Sequence, residues 1–171
     1  HGAAGARKAV SAAVASGLRT NLDLILGLPQ QTADSFAETL DEATSLGAGH
    51  ISLYMLDLEE KSPLQVQVAS GRVRLPEEDL VAALYTRAVD QLADRGLHQY
   101  EISNFARSGE ICRHNLRYWT GGQYLGFGLG AHSLLDDRRF ANTRDIHRDI
   151  GNAPDVTDFS EDLGSDERRR E

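Results

Sequence analysis

Hydrophobic residues follow a helical spacing in three stretches of the chain, and a shorter apolar run follows each stretch. Helices are predicted over residues 6–16, 32–46 and 76–95, each followed by a glycine that can end a helix: Gly17, Gly47 and Gly96. Strands are predicted over residues 21–26, 50–56 and 98–102, the first two buried on both faces. A polar connection is expected after Ser62-Pro63, and residues 107–133 show no regular pattern.

The predicted elements alternate helix, strand, helix, strand, helix, strand. This order favours parallel βα units over an antiparallel meander. Ligands of parallel sheets and barrels bind at the carboxyl ends of the strands and in the loops that follow them. Three segments are therefore candidates for function: residues 23–31, 55–60 and 101–106.

Both ends of the sequence differ from those expected of a complete protein. The chain starts at His1 without a methionine, and Ser165 with the acidic residues after it is typical of a helix that begins and is then cut off. Residues 155–171 carry seven acidic and three basic side chains, half of the net charge of −8. We expect a piece of a longer protein, in which residues 148–171 are an acidic linker and the start of a truncated C-terminal helical domain.

The composition excludes several classes of function. Cys112 is the only cysteine, so the chain cannot form an internal disulfide or hold an iron–sulfur cluster alone, and a reducing compartment is expected. No uncharged apolar run approaches the roughly 18 residues of a membrane span. A sequence pI of about 5.2 argues against non-specific nucleic-acid binding.

The first candidate segment holds two features with chemical potential. Asp23 places a carboxylate in an apolar strand, which costs several kcal/mol unless the group is paired or meets a ligand. One interpretation is binding of hydroxyl or amine groups, and the other is a carboxylate that holds a loop or caps a helix. Residues 27–32 could present backbone N–H groups to an anionic or polar ligand, but the pattern favours the alternative, a tight turn before an N-cap at Thr32.

Metal-binding and aromatic side chains cluster later in the chain. Cys112 and His114 belong to the residue types that bind transition metals or haem iron, although their spacing fits no closed zinc motif. Tyr118 and Trp119 follow, so a planar aromatic partner is one interpretation and core packing is the other. A plain surface loop is the alternative for the whole cluster.

The glycine-rich residues 126–132 match neither a dinucleotide-binding fingerprint nor a P-loop. They indicate a close backbone approach to a neighbour or a ligand. His132 at the end of the run is interpreted either as a ligand contact or as a core histidine. The chain shows no catalytic triad signature, and Glu59-Glu60 is more typical of a solvated loop than of an acid/base pair.

Five motifs stand in one order along the chain: residues 21–32 (NLDLILGLPQQT), 51–54 (ISLY), 100–107 (YEISNFAR), 112–119 (CRHNLRYW) and 124–133 (YLGFGLGAHS). The set resembles the oxygen-independent coproporphyrinogen III oxidase-like family of radical S-adenosylmethionine (SAM) proteins, and within it the haem chaperone branch. The resemblance covers about residues 1–147. Five motifs in order are far more specific than any one of them.

The resemblance implies an α/β fold, with the C-terminal part of a partial (βα)6 TIM-like radical SAM barrel over residues 1–106. An irregular segment rich in glycine and aromatics is implied over residues 107–147. The family binds SAM beside a [4Fe-4S] cluster whose CxxxCxxC ligands are expected upstream of residue 1. Carried over by position, Asp23 contacts SAM, Asp57 touches it through its backbone, and His132 lies near its adenine end.

The resemblance also implies haem binding, since His114, Asn115, Tyr118 and Trp119 match the HNxxYW signature of the haem-binding branch. Cys112 and His114 are the candidate haem iron ligands. The expected role of the longer protein is to bind haem and deliver it to respiratory proteins. One alternative is radical decarboxylation of coproporphyrinogen III, and another is a structural piece without activity.

Further expectations concern the chain by itself. It is predicted to be inactive and to hold no [4Fe-4S] cluster. Because a barrel without its first strands exposes a sheet edge, self-association or marginal stability is expected. The cytoplasm is the expected location, with peripheral membrane association as an alternative, and no nucleic-acid partner is expected.

Overall fold

The computed structural model describes residues 2–151 and 157–163, and the chain divides into two compact units, His1–Cys112 and Arg113–Glu171. The first unit contains four helices and four strands among the described residues: α1 (Gly2–Ala15), β1 (Asn21–Leu26), α2 (Ala33–Ser45), β2 (His50–Met55), α3 (Pro63–Ala69), α4 (Glu78–Ala93), β3 (His98–Gln99) and β4 (Asn104–Ala106). The second contains α5 (Arg113–Trp119), β5 (His132–Leu135), β6 (Arg138–Asn142), α6 (Ile146–Gly151) and β7 (Thr157–Asp162). The mixed helix and strand content agrees with the expected α/β class.

The three predicted helices are confirmed as α1, α2 and α4, while α3 was not predicted. Thr32 caps α2, and Ser62 caps α3 by accepting a hydrogen bond from the backbone of Gln65, with Pro63 at the first helical position. The Ser62-Pro63 pair was interpreted as a break because a seven-residue helix is too short to show a helical period.

The first unit is built on a four-stranded sheet in the order β1-β2-β4-β3. Strands β1 and β2 are parallel and joined through α2, as predicted, but β4 runs antiparallel to both β2 and β3. The expectation of parallel strands throughout is therefore wrong. Its physical cause is a turn inside the predicted third strand, where Tyr100 N donates to Asn104 O at 3.1 Å and the chain reverses.

Strand β1 is an edge strand of this sheet, and its burial alternates. Asn21, Asp23 and Ile25 are exposed, so the prediction of a strand buried on both faces is wrong for β1. In β2 the first four residues are buried, whereas Tyr54 and Met55 are exposed. The prediction thus holds only for the first part of β2.

The core lies between one face of the sheet and helices α2 and α4. Its largest fully buried side chains share apolar character and come from all these elements: Leu26, Phe36, Leu40, Ile51, Leu53, Leu84, Leu92, Leu97 and Phe105. Burial of one such side chain contributes about 1.5–3 kcal/mol. This packing fixes the sheet, and with it the residues on the opposite face.

The second unit contains an antiparallel sheet in the order β5-β6-β7. Helix α5 lies inside the segment that showed no regular pattern, and β7 lies inside the segment expected to be a linker. The helix start expected at Ser165 lies outside the described residues. None of the described helices is long and apolar enough to cross a membrane.

Candidate functional site

One face of the first unit's sheet carries a polar row, defined here as Asn21, Asp23, His50 and Ser52. Strand side chains alternate between faces, and the leucines of β1 between these positions pack against the core. In the parallel register Asn21 lies opposite His50, and Asp23 lies opposite Ser52. The strands therefore bring four polar side chains together on the face away from the core.

Hydrogen bonds join the residues of the polar row to one another and to Tyr100. Asn21 Nδ2 donates to Asp23 Oδ1 at 2.6 Å and to Ser52 Oγ at 3.1 Å. The imidazole of His50 lies between two partners, with Nδ1 2.6 Å from Asn21 Oδ1 and Nε2 2.8 Å from the Tyr100 hydroxyl. The network thus spans β1, β2 and the turn after β3.

His50 and Ser52 are the buried members of the polar row, and His50 has only 7% of its surface exposed. Burial lowers the pKa of its imidazole, because the charged form loses solvation. The negative charges of Asp23, Glu101 and Glu110 oppose this effect by favouring the protonated ring. Because the pKa lies below its ordinary value, the neutral form of the ring predominates at pH 7.

Asp23 is exposed, so the burial cost expected for its carboxylate does not arise. Its Oδ1 is held by Asn21, whereas Oδ2 has no hydrogen-bond partner among the described residues. Asp23 caps no helix, since the cap of α2 is Thr32. The free oxygen can accept a hydrogen bond from a hydroxyl or amine group of a ligand.

The turn after β3 and the first residue of β4 add two acceptors near the polar row. Glu101 Oε2 accepts from Ser103 N at 3.2 Å, while its Oε1 and the Oδ1 of Asn104 are buried without a partner. The Tyr85 hydroxyl from α4 anchors the turn by donating to Ile102 O at 2.6 Å. Since an unsatisfied buried acceptor costs about 1–3 kcal/mol, these atoms favour a ligand that donates hydrogen bonds.

The loop between β1 and α2 is closed by its own side chains. Gln31 Oε1 accepts from Gly27 N at 2.7 Å, and Gln31 Nε2 donates to Ile25 O at 3.2 Å. Thr32 and Ser35 form a reciprocal capping box at the start of α2. The interpretation as a tight turn followed by an N-cap is confirmed. The backbone N–H groups of Gly27 and Thr32 already donate to side chains of the loop and of α2, so they are not free for an anion.

Asp57 and Cys112 are the other candidate residues of the first unit. Leu56 N donates to Leu26 O at 2.7 Å, which places Asp57 just beyond the neighbouring ends of β1 and β2. Asp57 is exposed, and none of the hydrogen bonds of the described residues joins it to the polar row. Cys112 is a partly exposed free thiol at the end of the unit.

Helix α5 carries the HNxxYW residues of the second unit. His114 Nε2 lies 3.0 Å from the Tyr118 hydroxyl one turn later, and their rings meet edge to face at a centroid distance of 5.0 Å. His114, Tyr118 and Trp119 are exposed and Asn115 is partly buried, so core packing does not account for the aromatic pair. Tyr118 also meets Tyr124 edge to face at 4.5 Å, which links α5 to the glycine-rich segment.

The glycine-rich segment approaches β5 very closely, as predicted. A Cβ on Gly126 would lie 2.2 Å from the His132 carbonyl oxygen, so a larger residue does not fit there. Asn142 Nδ2 donates to Gly128 O at 2.9 Å and fixes the other side of the loop. Between these anchors Phe127 is 87% exposed. His132 is also exposed, which excludes the interpretation as a core histidine.

Five of the exposed apolar side chains of this unit are together called the aromatic surface here. Its members are contributed by α5 and by the glycine-rich segment: Tyr118, Trp119, Leu125, Phe127 and Leu129. Exposed apolar patches of soluble proteins mark ligand or partner sites more often than chance. In the described part of the chain, no group of three or more His, Cys, Asp and Glu residues is placed to hold a metal ion.

Sequence reasoning missed Asn21, His50, Ser52 and Tyr100 as members of a site. The period-two pattern of polar residues in β1 and β2 is the signal that points to them. The apolar residues between these positions, Leu22 in β1 and Ile51 in β2, give both strands the appearance of strands buried on both faces.

Comparison with curated proteins gives matches to haem chaperones. The chain is 41% identical over 122 residues to the haem chaperone HemW of Bacillus subtilis, covering 71% of this chain and 32% of that protein. It is 37% identical over 145 residues to HemW of Mycobacterium tuberculosis, covering 84% of this chain and 37% of that protein. The mitochondrial radical S-adenosyl methionine domain-containing protein 1 of Mus musculus is 44% identical over 114 residues, 67% of this chain and 26% of that protein.

The solved structure of coproporphyrinogen III oxidase (HemN) from Escherichia coli, described as a radical SAM enzyme, has the same fold. The TM-score is 0.73 at 20% sequence identity, and the match covers 95% of this chain and 41% of that one. No family model matches the sequence. The chain spans about a quarter to two fifths of the length of the proteins it matches. On these matches, the chain belongs to the family of HemW and the radical SAM coproporphyrinogen oxidases.

Proposed function

We propose that this chain is part of a radical SAM haem chaperone-like protein. In this proposal the polar row contacts SAM through Asp23, and α5 binds haem through His114. The observation that carries the haem assignment is the exposed His114, Tyr118 and Trp119 set in a chain 41% identical to HemW. Haem-accepting respiratory proteins are the proposed partners, and the cytoplasm is the proposed location.

The residues of the first unit fit SAM. Asp23 Oδ2 is free to accept a hydrogen bond, and the buried acceptors of Glu101 and Asn104 lack partners. SAM carries hydroxyl and amine donors that such acceptors recognise. On the family resemblance, we propose Asp57 of this unit as a further SAM contact, and its side chain is exposed. The resemblance alone assigns His132, an exposed residue of the second unit, to the adenine end of SAM. SAM itself would supply the radical chemistry of the longer protein.

The residues of the second unit fit haem. Nδ1 of His114 has no hydrogen-bond partner among the described residues, so the imidazole can offer a nitrogen to iron. The hydrogen bond between His114 Nε2 and the Tyr118 hydroxyl orients the ring. Exposed aromatic and aliphatic side chains, Trp119 and Phe127 among them, suit contact with an apolar macrocycle.

The residues of this chain do not fit a [4Fe-4S] cluster. Such a cluster takes cysteine thiolates as ligands, usually four, and Cys112 is the only cysteine. We therefore assign no [4Fe-4S] ligand to this chain. A partial radical SAM barrel, in which β1 and β2 form one parallel βα unit, remains our proposal for the first unit.

A haem titration of the chain tests the proposed function. Adding ferric haem is expected to give a Soret band, and the His114→Ala variant is expected to shift that band and weaken binding by about tenfold or more. His147→Ala is the matched control, because His147 is another exposed histidine of the same unit. An unchanged spectrum in His114→Ala would refute the assignment of His114.

The Cys112→Ser variant separates the two candidate iron ligands. If His114 ligates the iron, the Soret band of Cys112→Ser stays that of the wild type. A spectral change in Cys112→Ser, with none in His114→Ala, would instead assign the thiolate as the ligand.

Oxygen-independent coproporphyrinogen III oxidation is the second candidate function, favoured by the fold match to HemN. A full-length protein that contains this chain would then convert coproporphyrinogen III under anaerobic conditions. Absence of product, with an intact cluster and active SAM cleavage, would exclude this candidate.

A further inference from the structure

A continuous chain of hydrogen bonds runs from Tyr100 through His50 and Asn21 to Asp23. The three contacts measure 2.8 Å from Tyr100 Oη to His50 Nε2, 2.6 Å from His50 Nδ1 to Asn21 Oδ1, and 2.6 Å from Asn21 Nδ2 to Asp23 Oδ1. Tyr100 lies in the turn after β3, His50 in β2, and Asn21 and Asp23 in β1. The register of β1 against β2, which pairs Asn21 with His50, holds the middle of the chain together.

The direction of each hydrogen bond follows from the chemistry of its ends. A carboxylate oxygen accepts only, so the group of Asn21 that faces Asp23 must be the amide nitrogen. The amide oxygen of Asn21 then faces His50, whose Nδ1 must carry the proton. In the neutral ring Nε2 is consequently the acceptor, and the Tyr100 hydroxyl donates to it.

The surroundings of His50 favour this neutral form. Burial lowers the pKa of the ring, against the opposing charges of Asp23, Glu101 and Glu110. With the ring neutral, one proton arrangement satisfies all three contacts. The chain of hydrogen bonds therefore holds Asp23 Oδ1 in a single orientation.

We propose that Tyr100, His50 and Asn21 are positioning residues that fix the Asp23 carboxylate and leave its Oδ2 free for a hydroxyl or amine donor of the ligand. This inference rests on the proposed SAM contact of Asp23. Asp23 is exposed on an edge strand, where a carboxylate would otherwise sample several rotamers. Ordering it before the ligand arrives reduces the entropy lost on binding.

The tautomer of His50 tests the hydrogen-bond chain without any ligand. In a long-range ¹H–¹⁵N NMR spectrum of the chain at pH 7.5, we expect the His50 signals to show a protonated Nδ1 and an unprotonated Nε2. The His50→Gln spectrum identifies these signals by their loss. Asn21→Ala should abolish this tautomer preference. A wild-type spectrum with the proton on Nε2 would overturn the proposal.

Binding of SAM by the chain, measured by equilibrium dialysis, tests the positioning role. Asp23→Ala is expected to weaken binding about tenfold or more, and Asn21→Ala, His50→Phe and Tyr100→Phe about three- to tenfold each. His50→Gln keeps an amide that can donate to Asn21, so it should bind SAM more tightly than His50→Phe. This partial rescue is not expected of a ring that only fills space.

Thr44→Val is the matched control, because it removes a buried hydroxyl that donates to Leu40 O at 2.8 Å elsewhere in the unit. It should lower stability and leave SAM affinity unchanged. Equal loss of affinity in Thr44→Val and Tyr100→Phe would show that the weaker SAM binding results from lower stability. This result would overturn the positioning role. Wild-type affinity in all three positioning variants, with weak binding in Asp23→Ala, would overturn it too. An unaffected Asp23→Ala would instead refute the proposed SAM contact.

Discussion

The polar row of the first unit consists of hydrogen-bonded polar side chains, whereas the aromatic surface of the second consists of exposed apolar side chains. In the polar row, side chains from two strands hydrogen-bond to one another and to Tyr100, and the ordered core behind the sheet fixes their spacing. On the aromatic surface, a seven-residue helix and a glycine-rich loop hold apolar groups out toward solvent. The first arrangement suits a small polar ligand, and the second suits a large apolar one.

The two regions also differ in whether a substitution should reduce stability or ligand affinity. Side chains below the polar row are fully buried and stabilise the sheet, whereas Phe127 is almost fully exposed and buries little surface. A substitution in the first unit's core should therefore reduce stability first. A substitution on the aromatic surface should reduce ligand affinity first.

A pair of phenylalanine truncations gives the largest expected contrast. Phe105 in β4 has no exposed surface, so Phe105→Ala should lower the free energy of unfolding by about 3–5 kcal/mol. Phe127→Ala should change it by less than about 0.5 kcal/mol and weaken haem binding. Urea unfolding followed by circular dichroism measures both variants. Equal destabilisation would contradict the distinction between core and surface.

Replacement of Gly126 should have the next largest effect. A Cβ there would lie 2.2 Å from a backbone oxygen, so Gly126→Ala must displace the loop and should cost about 1–3 kcal/mol. Gly151→Ala is the control, because nothing lies within 4 Å of its added Cβ. The fluorescence of Trp119, the only tryptophan, reports the melting of the second unit. A melting temperature unchanged by Gly126→Ala would show that the close approach does not constrain the loop.

The pH dependence of stability should show a smaller effect that comes from His50. Its folded-state pKa is lowered from the ordinary value of 6.5, so the unfolded chain takes up the proton first as pH falls. The stability contributed by neutral His50 is fully present above pH 6.5 and is lost as pH falls toward the folded-state pKa. In urea titrations between pH 7.5 and 5, the wild type should lose more stability than His50→Gln. Parallel profiles would remove His50 as the cause.

Association through the edge of β1 is the weakest expected effect. The edge strand offers unpaired backbone groups, so the apparent mass in sedimentation should rise with concentration. Replacing Ile25 with lysine places a charge on the exposed side of this strand and should favour the monomer. A wild-type chain that remains monomeric at all concentrations would contradict the prediction.

The sequence predicted those parts of the fold whose signals are local. The spacing of apolar residues identified α1, α2 and α4, and the apolar runs identified β1 and β2. The antiparallel placement of β4 could not be predicted, because it depends on a turn at residues 100–103 that contains neither glycine nor proline. Helix α5 has only seven residues, too few for a clear period.

The candidate site was predictable only in part, for a related reason. Asp23 stood out as a charge among leucines, and the residues of α5 stood out as a motif. His50 and Tyr100 are fifty residues apart, and their contact exists only because β2 and the turn after β3 meet in the sheet. Register and turn geometry determine such contacts, and neither can be read from one strand at a time.

A crossed titration tests the central claim that Asp23 contributes to SAM binding and His114 to haem binding. Asp23→Ala and His114→Ala would each be titrated with SAM and with ferric haem, under the same conditions as the wild type. We predict that Asp23→Ala loses affinity for SAM and keeps the wild-type Soret band, while His114→Ala shows the reverse. Equal loss of both ligands in both variants, or loss of neither, would contradict the account.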